Sequence, residues 1–216
     1  SWKDVNILAQ KVFALKENKT LPRVFDDLFN GNETLEEKIN LLIDYVQDDI
    51  SYMGVESGIW GIKPTQPDEV LEQRFGDCKD KSLLLVALLK DIGIENAFPV
   101  LVNTLMLHEI DNYFPSNQIF NHCIVCFDHD SCRYWVDPTS TLQGGDFRNL
   151  YNYDYGKVLI IGEESDSLST MSPLEFPSKT EVFEELEVTS FTKPAKYTIV
   201  SNKIGHEADL RRVYHE

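Results

Sequence analysis

The sequence predicts a fold that contains both helices and strands, and three observations support this. Two stretches in the first half of the chain begin with helix-capping patterns. One of them continues into an uninterrupted apolar run, residues 83–89, which is typical of a buried helix. In the second half, runs rich in β-branched and aromatic residues are separated by turn-forming residues, a pattern typical of strands.

The composition is that of a globular protein, and 216 residues suffice for one sizeable domain or for one domain plus a fragment. The 36 acidic and 20 basic residues give a formal net charge of −16, which disfavours nucleic acid and anionic membrane surfaces as partners. No apolar run approaches the roughly 20 residues that span a membrane, and four cysteines are too few for a disulfide scaffold. Because the chain lacks an initiator Met and ends in polar sequence, we interpret it as a piece of a longer protein whose other domains flank it.

The first third of the chain is predicted to be mainly helical. Apolar residues at helical spacing predict a helix over residues 2–15, and a second helix over 34–49 begins with a threonine cap. Residues 50–67 contain three glycines and two prolines, which predicts an irregular loop. Loops of this length inside a domain are usually functional or mobile. A short helix over 67–73 then leads to Cys78.

The central helix of the prediction begins at Cys78. Asp77 is its N-cap, and Asp80, three residues on, completes a capping box. Cys78 therefore takes the first helical position, beside unpaired backbone N–H groups and the positive end of the helix dipole. Such a position stabilises the thiolate, which is the nucleophilic form of cysteine. Gly93 is predicted to end the helix. The alternative is that Cys78 is a small buried apolar residue, as most cysteines are.

Short strands are predicted for the rest of the chain. They cover residues 97–103, 120–127, 133–136, 157–161, 182–188 and 197–204. Residues 104–118 are predicted to be irregular, and residues 168–179 to form a linker. We therefore divide the chain into a helical lead-in over 1–33, a core over 34–172, and a linker with the start of a second, β-rich domain over 173–216.

A nucleophilic cysteine needs a base, and two of the predicted strands provide a candidate. A two-residue turn at His129 and Asp130 would place His122 directly opposite Asp137 on one face of a hairpin. Asp137 would then hold the imidazole of His122 by a hydrogen bond, with the other ring nitrogen facing Cys78. Taken singly, a buried core histidine and a turn-starting aspartate before proline are the alternative interpretations.

The same segment contains a second candidate site. Cys123, Cys126, His129 and Cys132 have the spacing of a small zinc site. However, Cys123 and Cys126 would point to opposite faces of an extended strand, about 10 Å apart. We therefore expect these cysteines to pack in the core, with no metal ion and no cofactor at the site. A zinc-stabilised domain is the alternative.

Several of these residues match a known family in order and in spacing. They are Gly-Asp-Cys-Lys-Asp-Lys at 76–81, Asp-Ile-Gly-Ile at 91–94, Phe-Asn-His at 120–122 and Tyr-Trp-Val-Asp-Pro-Thr at 134–139. The set resembles bacterial transglutaminase-like domains, and the resemblance extends from about Asp44 to about Thr141. The flanking segments are more loosely similar to multidomain members, in which β-rich domains lie on both sides of the core.

The resemblance implies an α+β, papain-like fold, in which a buried helix that bears the cysteine packs on an antiparallel sheet that carries the histidine and the aspartate. By this match Cys78 is the nucleophile, His122 the general base and then acid, and Asp137 the orienting carboxylate of a triad. The Cys78 backbone N–H would bind the oxyanion. Tyr52 and Trp60 are candidates for the second donor, or aromatic residues that line the substrate groove.

The implied activity is acyl transfer at peptide or protein amides through a thioester, with hydrolysis favoured over cross-linking. Cell-wall peptides are one candidate substrate, and the resemblance implies a periplasmic or cell-surface location. The alternative is a transglutaminase-like module that binds or connects other domains without catalysis, since fold does not imply function.

Overall fold

The computed structural model of the chain describes residues 1–16, 21–54, 63–163, 166–173 and 178–214. The chain divides into two compact units, Ser1–Leu174 and Glu175–Glu216, which are described separately. The predicted division into three segments stays a prediction. No helix within the described ranges is long and apolar enough to cross a membrane.

The helices of the first unit lie mostly in its first half, as predicted. They are α1 (Trp2–Val12), α2 (Leu21–Leu28), α3 (Leu35–Asp44), α4 (Pro67–Gln73) and α5 (Cys78–Asp91). A π-helical turn, Tyr45–Asp49, extends α3, and 3₁₀ turns occupy Leu107–Asn112, Asn117–Ile119 and Phe147–Asn149. The predicted threonine cap of α3 is present, whereas α1 ends three residues earlier than the predicted residue 15.

The strands of the first unit form one five-stranded sheet and one short pair. They are β1 (Ser51–Tyr52), β2 (Phe75–Gly76), β3 (Ala97–Val102), β4 (His122–His129), β5 (Cys132–Val136), β6 (Lys157–Ile160) and β7 (Ser169–Thr170). The five-stranded sheet is antiparallel, with the strand order β5-β4-β3-β6-β7. β1 and β2 pair in parallel, with Tyr52 opposite Gly76. The predicted loop over 50–67 therefore contains a short strand near its start.

Helix α5 is the centre of the core. Every residue from Lys79 to Leu89 is buried, because α3 and α4 cover one side of the helix and β3 and β4 the other. The predicted capping box between Asp77 and Asp80 is confirmed. The helix also ends where predicted, since Ile92 is its C-cap and Gly93 takes a left-handed φ of +97° that other residues rarely adopt.

Two buried polar side chains on α5 fix the helix against its neighbours. The hydroxyl of Ser82 donates to the backbone oxygen of Cys123 on β4 at 3.1 Å. The ammonium of Lys81, which is fully buried, donates to the backbone oxygens of Gln47 at 3.1 Å and Ile50 at 2.7 Å. Burial lowers the pKa of Lys81 to about 8, although the charges of Asp137 and Asp48 oppose this. The helix is thus joined both to the sheet and to the end of the π-helical turn.

The β4–β5 hairpin has a register two residues away from the predicted one, so the predicted turn at His129 and Asp130 is wrong. His129 pairs with Cys132, and the turn residues are Asp130 and Ser131 with φ of +48° and +63°. Positive φ at both central positions is the requirement of a type I′ turn. His129 stays in β4, where its ring packs edge-on against the ring of Phe147 with a distance of 5.8 Å between the ring centroids.

The predicted linker over 168–179 also needs a correction. Ser169–Thr170 form the edge strand β7, which pairs with Lys157 and Val158 of β6. Leu168 and Met171 on either side of β7 are buried. The first part of the predicted linker is therefore a part of the core sheet. A strand of two residues is too short for an alternation of apolar and polar residues to indicate it.

The second unit contains a hairpin followed by a helix. Strands β8 (Lys179–Glu187) and β9 (Lys196–Ile204) pair in antiparallel fashion, with Lys179 opposite Ile204 and Glu187 opposite Lys196. Helix α6 (His206–Val213) follows. The two predicted strands, 182–188 and 197–204, are thus confirmed.

Replacing Leu88 by Ala should lower the free energy of unfolding by about 2–5 kcal/mol, because Leu88 is fully buried in the main apolar cluster and a cavity would remain. Urea unfolding of the wild type and the variant measures the difference. Leu105→Ala, at a side chain that is 84% exposed, is the control and should stay within about 0.5 kcal/mol of the wild type.

Replacing Lys81 by Met should destabilise the protein by about 1–3 kcal/mol, because the buried oxygens of Gln47 and Ile50 lose their charged donor. The matched control is Lys90→Met on the same helix, where the ammonium donates to Glu95 in an exposed setting. Equal urea midpoints for the two variants would contradict the assignment of a structural role to Lys81.

Candidate active site

Cys78 lies at the first position of α5, where a capping box formed by Asp77 and Asp80 fixes the backbone of the first turn. The carboxylate of Asp77 accepts hydrogen bonds from the backbone N–H groups of Lys79 at 3.1 Å and Asp80 at 3.3 Å. The carboxylate of Asp80 accepts in return from the Asp77 N–H at 3.0 Å. A Cβ on Gly76 would lie 2.7 Å from the Cβ of Asp80, so the capping box requires glycine there.

The charged groups around the start of α5 are paired with one another. The ammonium of Lys79 contacts the carboxylate of Asp77, and the two side chains are only 10% and 6% exposed. Burial raises the pKa of Asp77, and the hydrogen bond from Lys79 counteracts this rise. Asp80 also accepts a hydrogen bond from the Thr65 N–H at 2.7 Å, which ties the chain before α4 to the same point.

His122 and Asp137 form a close hydrogen-bonded pair. The distance between His122 Nε2 and Asp137 Oδ2 is 2.7 Å, and both side chains are about 15% exposed. The sequence predicted this contact from a register that is wrong, since Val136 pairs with Val125 and Asp137 is therefore diagonal to His122. A shift by two residues leaves side chains on the same face, and diagonal neighbours remain within reach of a histidine.

Asp137 is held by more groups than His122 alone. Its Oδ1 accepts from the backbone N–H of Thr139 at 2.9 Å and from the Thr139 hydroxyl at 2.7 Å. The Tyr155 hydroxyl donates to Oδ2 at 3.3 Å, and Gln47 donates to the backbone oxygen of Asp137 at 2.9 Å. Burial would raise the pKa of Asp137, but the hydrogen bonds from His122 and Thr139 hold it below its usual value.

Thr139, Tyr155 and Gln47 were not identified from the sequence as hydrogen-bond partners of Asp137. Thr139 was detectable, because an aspartate that accepts from a residue two positions on is a common turn arrangement. Tyr155 and Gln47 come from distant parts of the chain, and nothing in their local sequence indicates that they meet Asp137. Burial and the charge of Asp137 raise the pKa of Tyr155, so its hydroxyl remains a donor.

Asp137 and Cys78 together favour the protonated form of His122. Burial alone would lower its pKa, but the hydrogen bonds with Asp137 and with the Cys78 side chain raise the pKa of His122 to about 10. Since Nε2 is taken by Asp137, Nδ1 is the ring nitrogen left for Cys78. The arrangement therefore favours an imidazolium between a carboxylate and a thiol.

Cys78 and His122 line the same cleft, which has a volume of about 360 Å³. Tyr52 lines it too, with a side chain that is 52% exposed and a backbone that pairs with Gly76 through β1 and β2. Trp60 lies outside the described residues. The other lining residues are Leu8, Ala9, Val12, Phe13, Asp77, Lys79, Leu101, Asn117, Phe120, Asn121 and Cys123.

The structure places the four residues with zinc-like spacing, Cys123, Cys126, His129 and Cys132, in different surroundings. Cys123 and Cys126 are buried in two separate apolar clusters, on opposite faces of β4. Cys132 is exposed on β5. Within the described ranges, the side chains whose ligand atoms lie within 4.8 Å of one another are Glu36, His129 and Asp130, so His129 alone of the four belongs to that group.

Solved structures share the fold at low sequence identity. A "putative protease" of Parabacteroides distasonis ATCC 8503 superposes with a TM-score of 0.58 and 17% identity, over 79% of this chain and 32% of that chain. The present chain thus spans about a third of that protein's length.

Two further structures are more distant. LapG of Legionella pneumophila has a TM-score of 0.37 and 14% identity, over 64% of this chain and 72% of that chain. A "putative cysteine protease" of Cytophaga hutchinsonii has a TM-score of 0.37 and 13% identity, over 94% and 52% of the two chains. Neither supports an argument at that level of similarity. No curated protein matches the chain.

The sequence itself also matches a family model. The model of the transglutaminase-like superfamily matches residues 23–136, a stretch that contains Cys78 and His122 and ends one residue before Asp137. The fold agrees, because a buried helix that begins at a cysteine packs on an antiparallel sheet in the papain-like manner. Since the match covers more than half of the sequence, the chain belongs to the transglutaminase-like superfamily.

Proposed function

We propose that this chain is a cysteine-dependent enzyme that acts on amide bonds, with Cys78, His122 and Asp137 as its catalytic triad. The observation that supports this most directly is that Cys78 and His122 line one cleft while Asp137 is hydrogen-bonded to His122. The start of α5 presents Cys78, the start of β4 presents His122, and the end of β5 presents the carboxylate that holds His122. A nucleophile, a base and an orienting group in this order are the parts that covalent catalysis requires.

The reaction begins with the Cys78 thiolate and the His122 imidazolium. The thiolate sulfur attacks the amide carbonyl carbon, and the carbonyl π electrons move to oxygen to give a tetrahedral oxyanion. His122 then transfers its proton to the leaving nitrogen, the C–N bond breaks, and a thioester to Cys78 remains. Neutral His122 next takes a proton from water or from an amine, which attacks the thioester and releases Cys78.

The oxyanion is bound at the start of α5, where the Cys78 backbone N–H is not used by the helix. Tyr52 is the candidate for a second donor, because it lines the cleft beside Gly76. Trp60 stays a candidate from the sequence alone. Asp137 acts through His122 as a positioning residue, since it does not line the cleft.

We propose hydrolysis of a peptide or protein amide as the overall reaction, in preference to cross-linking. The name of the structurally similar P. distasonis protein, a "putative protease", supports this choice. Cell-wall peptides remain one candidate substrate, and a periplasmic or cell-surface location remains part of the proposal. The flanking domains of a longer parent chain are the proposed intramolecular partners.

The proposal predicts that Cys78 is alkylated by limiting iodoacetamide at about pH 6, where an ordinary thiol is almost fully protonated. Peptide mass mapping gives the rate for each cysteine, and the exposed Cys132 is the internal reference. His122→Ala should slow alkylation of Cys78 by tenfold or more, because the imidazolium that stabilises the thiolate is removed. Asp137→Asn should slow it by a smaller factor.

His129→Ala is the matched control, because His129 is also on β4 and also contacts a carboxylate, that of Glu36 at 3.3 Å. It should leave the Cys78 rate unchanged. If Cys78 reacts no faster than Cys132, or ignores the loss of His122, the thiolate–imidazolium pair does not exist. The non-catalytic scaffold would then be the better interpretation of this fold.

The raised pKa of His122 also predicts how stability depends on pH. A group whose pKa rises from about 6.5 in the unfolded chain to about 10 in the folded one stabilises the fold fully below about pH 6.5. This contribution is lost as the pH rises towards 10. The free energy of unfolding should therefore fall between about pH 6.5 and 10, and it should fall less in Asp137→Asn.

Urea unfolding at about pH 6, 8 and 10 measures how the free energy of unfolding changes with pH in the wild type and in Asp137→Asn. Lys81, whose pKa of about 8 lies below its unfolded value, contributes a slope of opposite sign, and Asp137→Asn would lower the Lys81 pKa further because the charge of Asp137 opposes the lowering. Both proteins are therefore compared in the Lys81→Met background, where the remaining difference between them reports on His122. Parallel curves would show that Asp137 does not stabilise a charged His122.

A further inference from the structure

The cleft at Cys78 has one wall that comes from outside the segment matched by the family model. Helix α1 contributes Leu8 and Val12 to this wall, and its C-cap residue Phe13 continues it. Leu101 of β3 and Phe120 also line the cleft, and Leu101 packs in the same apolar cluster as Val12 and Phe13. Leu8 is 49% exposed, so its side chain is accessible to a ligand in the cleft.

Helix α1 is a fixed part of the first unit. The side-chain amide of Asn6 is buried and donates to the backbone oxygens of Ile160 and Glu163, both at 3.0 Å. Its carbonyl oxygen accepts from the Gly162 N–H at 3.2 Å. At the start of the helix, the ring of Trp2 packs against Phe120 with a centroid distance of 5.8 Å. The wall is therefore formed before any ligand arrives, which reduces the entropic cost of binding.

The charges inside the cleft are already paired. Asp77 and Lys79 are the charged lining residues within the described part of the chain, apart from His122 and Cys78 themselves, and they form an ion pair with each other. The side chain of Asn121 is bonded to Thr104 through both of its polar atoms, at 2.9 Å each. A charged ligand group would lose its hydration here without finding an unpaired opposite charge.

We propose that the wall formed by Leu8, Val12 and Phe13 is a specificity subsite for a large, uncharged apolar side chain next to the scissile amide. This inference rests on the proposed function, because it places the reacting carbonyl at Cys78. The volume of about 360 Å³ lies near the lower limit of ligand sites. It therefore suits one or two apolar side chains of a peptide, and it disfavours substrates with carboxylates or ammonium groups beside the cleaved bond.

Two alkylating reagents test the subsite without knowledge of the natural substrate. Iodoacetyl-leucinamide and iodoacetyl-glycinamide carry the same reactive group and differ only in an isobutyl side chain. Burial of that side chain against the wall should make the leucine reagent react about tenfold faster with Cys78. Peptide mass mapping measures both rates, and Cys132, which is exposed on β5, should not discriminate between the reagents.

Variants at Leu8 show whether the preference comes from α1. Leu8→Ala should reduce the ratio of the two rates to about threefold, and Leu8→Lys should reduce it to about one. Ile7→Lys is the matched control, because Ile7 is 43% exposed on the same helix but faces the side of Lys3 and Gln10, away from the cleft. The ratio in this control should equal that of the wild type.

The outcomes separate this inference from the proposed function. If Cys78 reacts rapidly with both reagents at equal rates, or if Leu8→Lys keeps the full preference, the apolar subsite is overturned and the triad stands. If Cys78 reacts no faster than Cys132 with either reagent, the proposed function is overturned and the subsite with it. A wild-type preference that Leu8→Lys abolishes and Ile7→Lys retains supports both.

Discussion

The buried carboxylate of Asp77 is the constraint on which the candidate site depends. It caps the backbone of α5 and contacts Lys79, while the backbone N–H of Asp77 donates to the carboxylate of Asp80. A carboxylate in this position is costly to bury unless each oxygen has partners, and here both oxygens have them. Because the cap fixes the first turn of α5, it also fixes the backbone of Cys78 beside the cleft.

The rest of the candidate site is attached to α5 through two adjacent side chains of the helix. Ser82 connects the helix to the backbone of β4 one residue after His122, so a direct hydrogen bond joins the elements that carry Cys78 and His122. Lys81 donates to the backbone oxygen of Gln47 in the π-helical turn, and the side chain of Gln47 donates to the backbone of Asp137. The elements that carry Cys78, His122 and Asp137 are thus joined through buried hydrogen bonds, which are costly to break in a low-dielectric interior.

What the sequence predicted correctly was local in origin. The cap of α5 and its glycine stop follow from a few adjacent residues, and the shared face of His122 and Asp137 follows from strand periodicity, which survives an error of two residues in register. What it missed depends on distant contacts. The burial of Lys81, the bond from Tyr155 to Asp137 and the position of α1 arise from tertiary packing, which overrides local preference. Lys81 in particular would be assigned to a solvated face by its residue type alone.

The anchoring of α1 has a consequence for biosynthesis. Asn6 finds its partners at Ile160 and Glu163, more than 150 positions later in the chain. Because synthesis proceeds towards the C-terminus, α1 is made before β6 and cannot form these bonds until β6 has followed. Contacts of such sequence separation form late, because a long loop must close before they stabilise anything. The segment that contains Cys78 is therefore synthesised before the residues that anchor α1, and the cleft acquires its α1 wall only after β6 has been made.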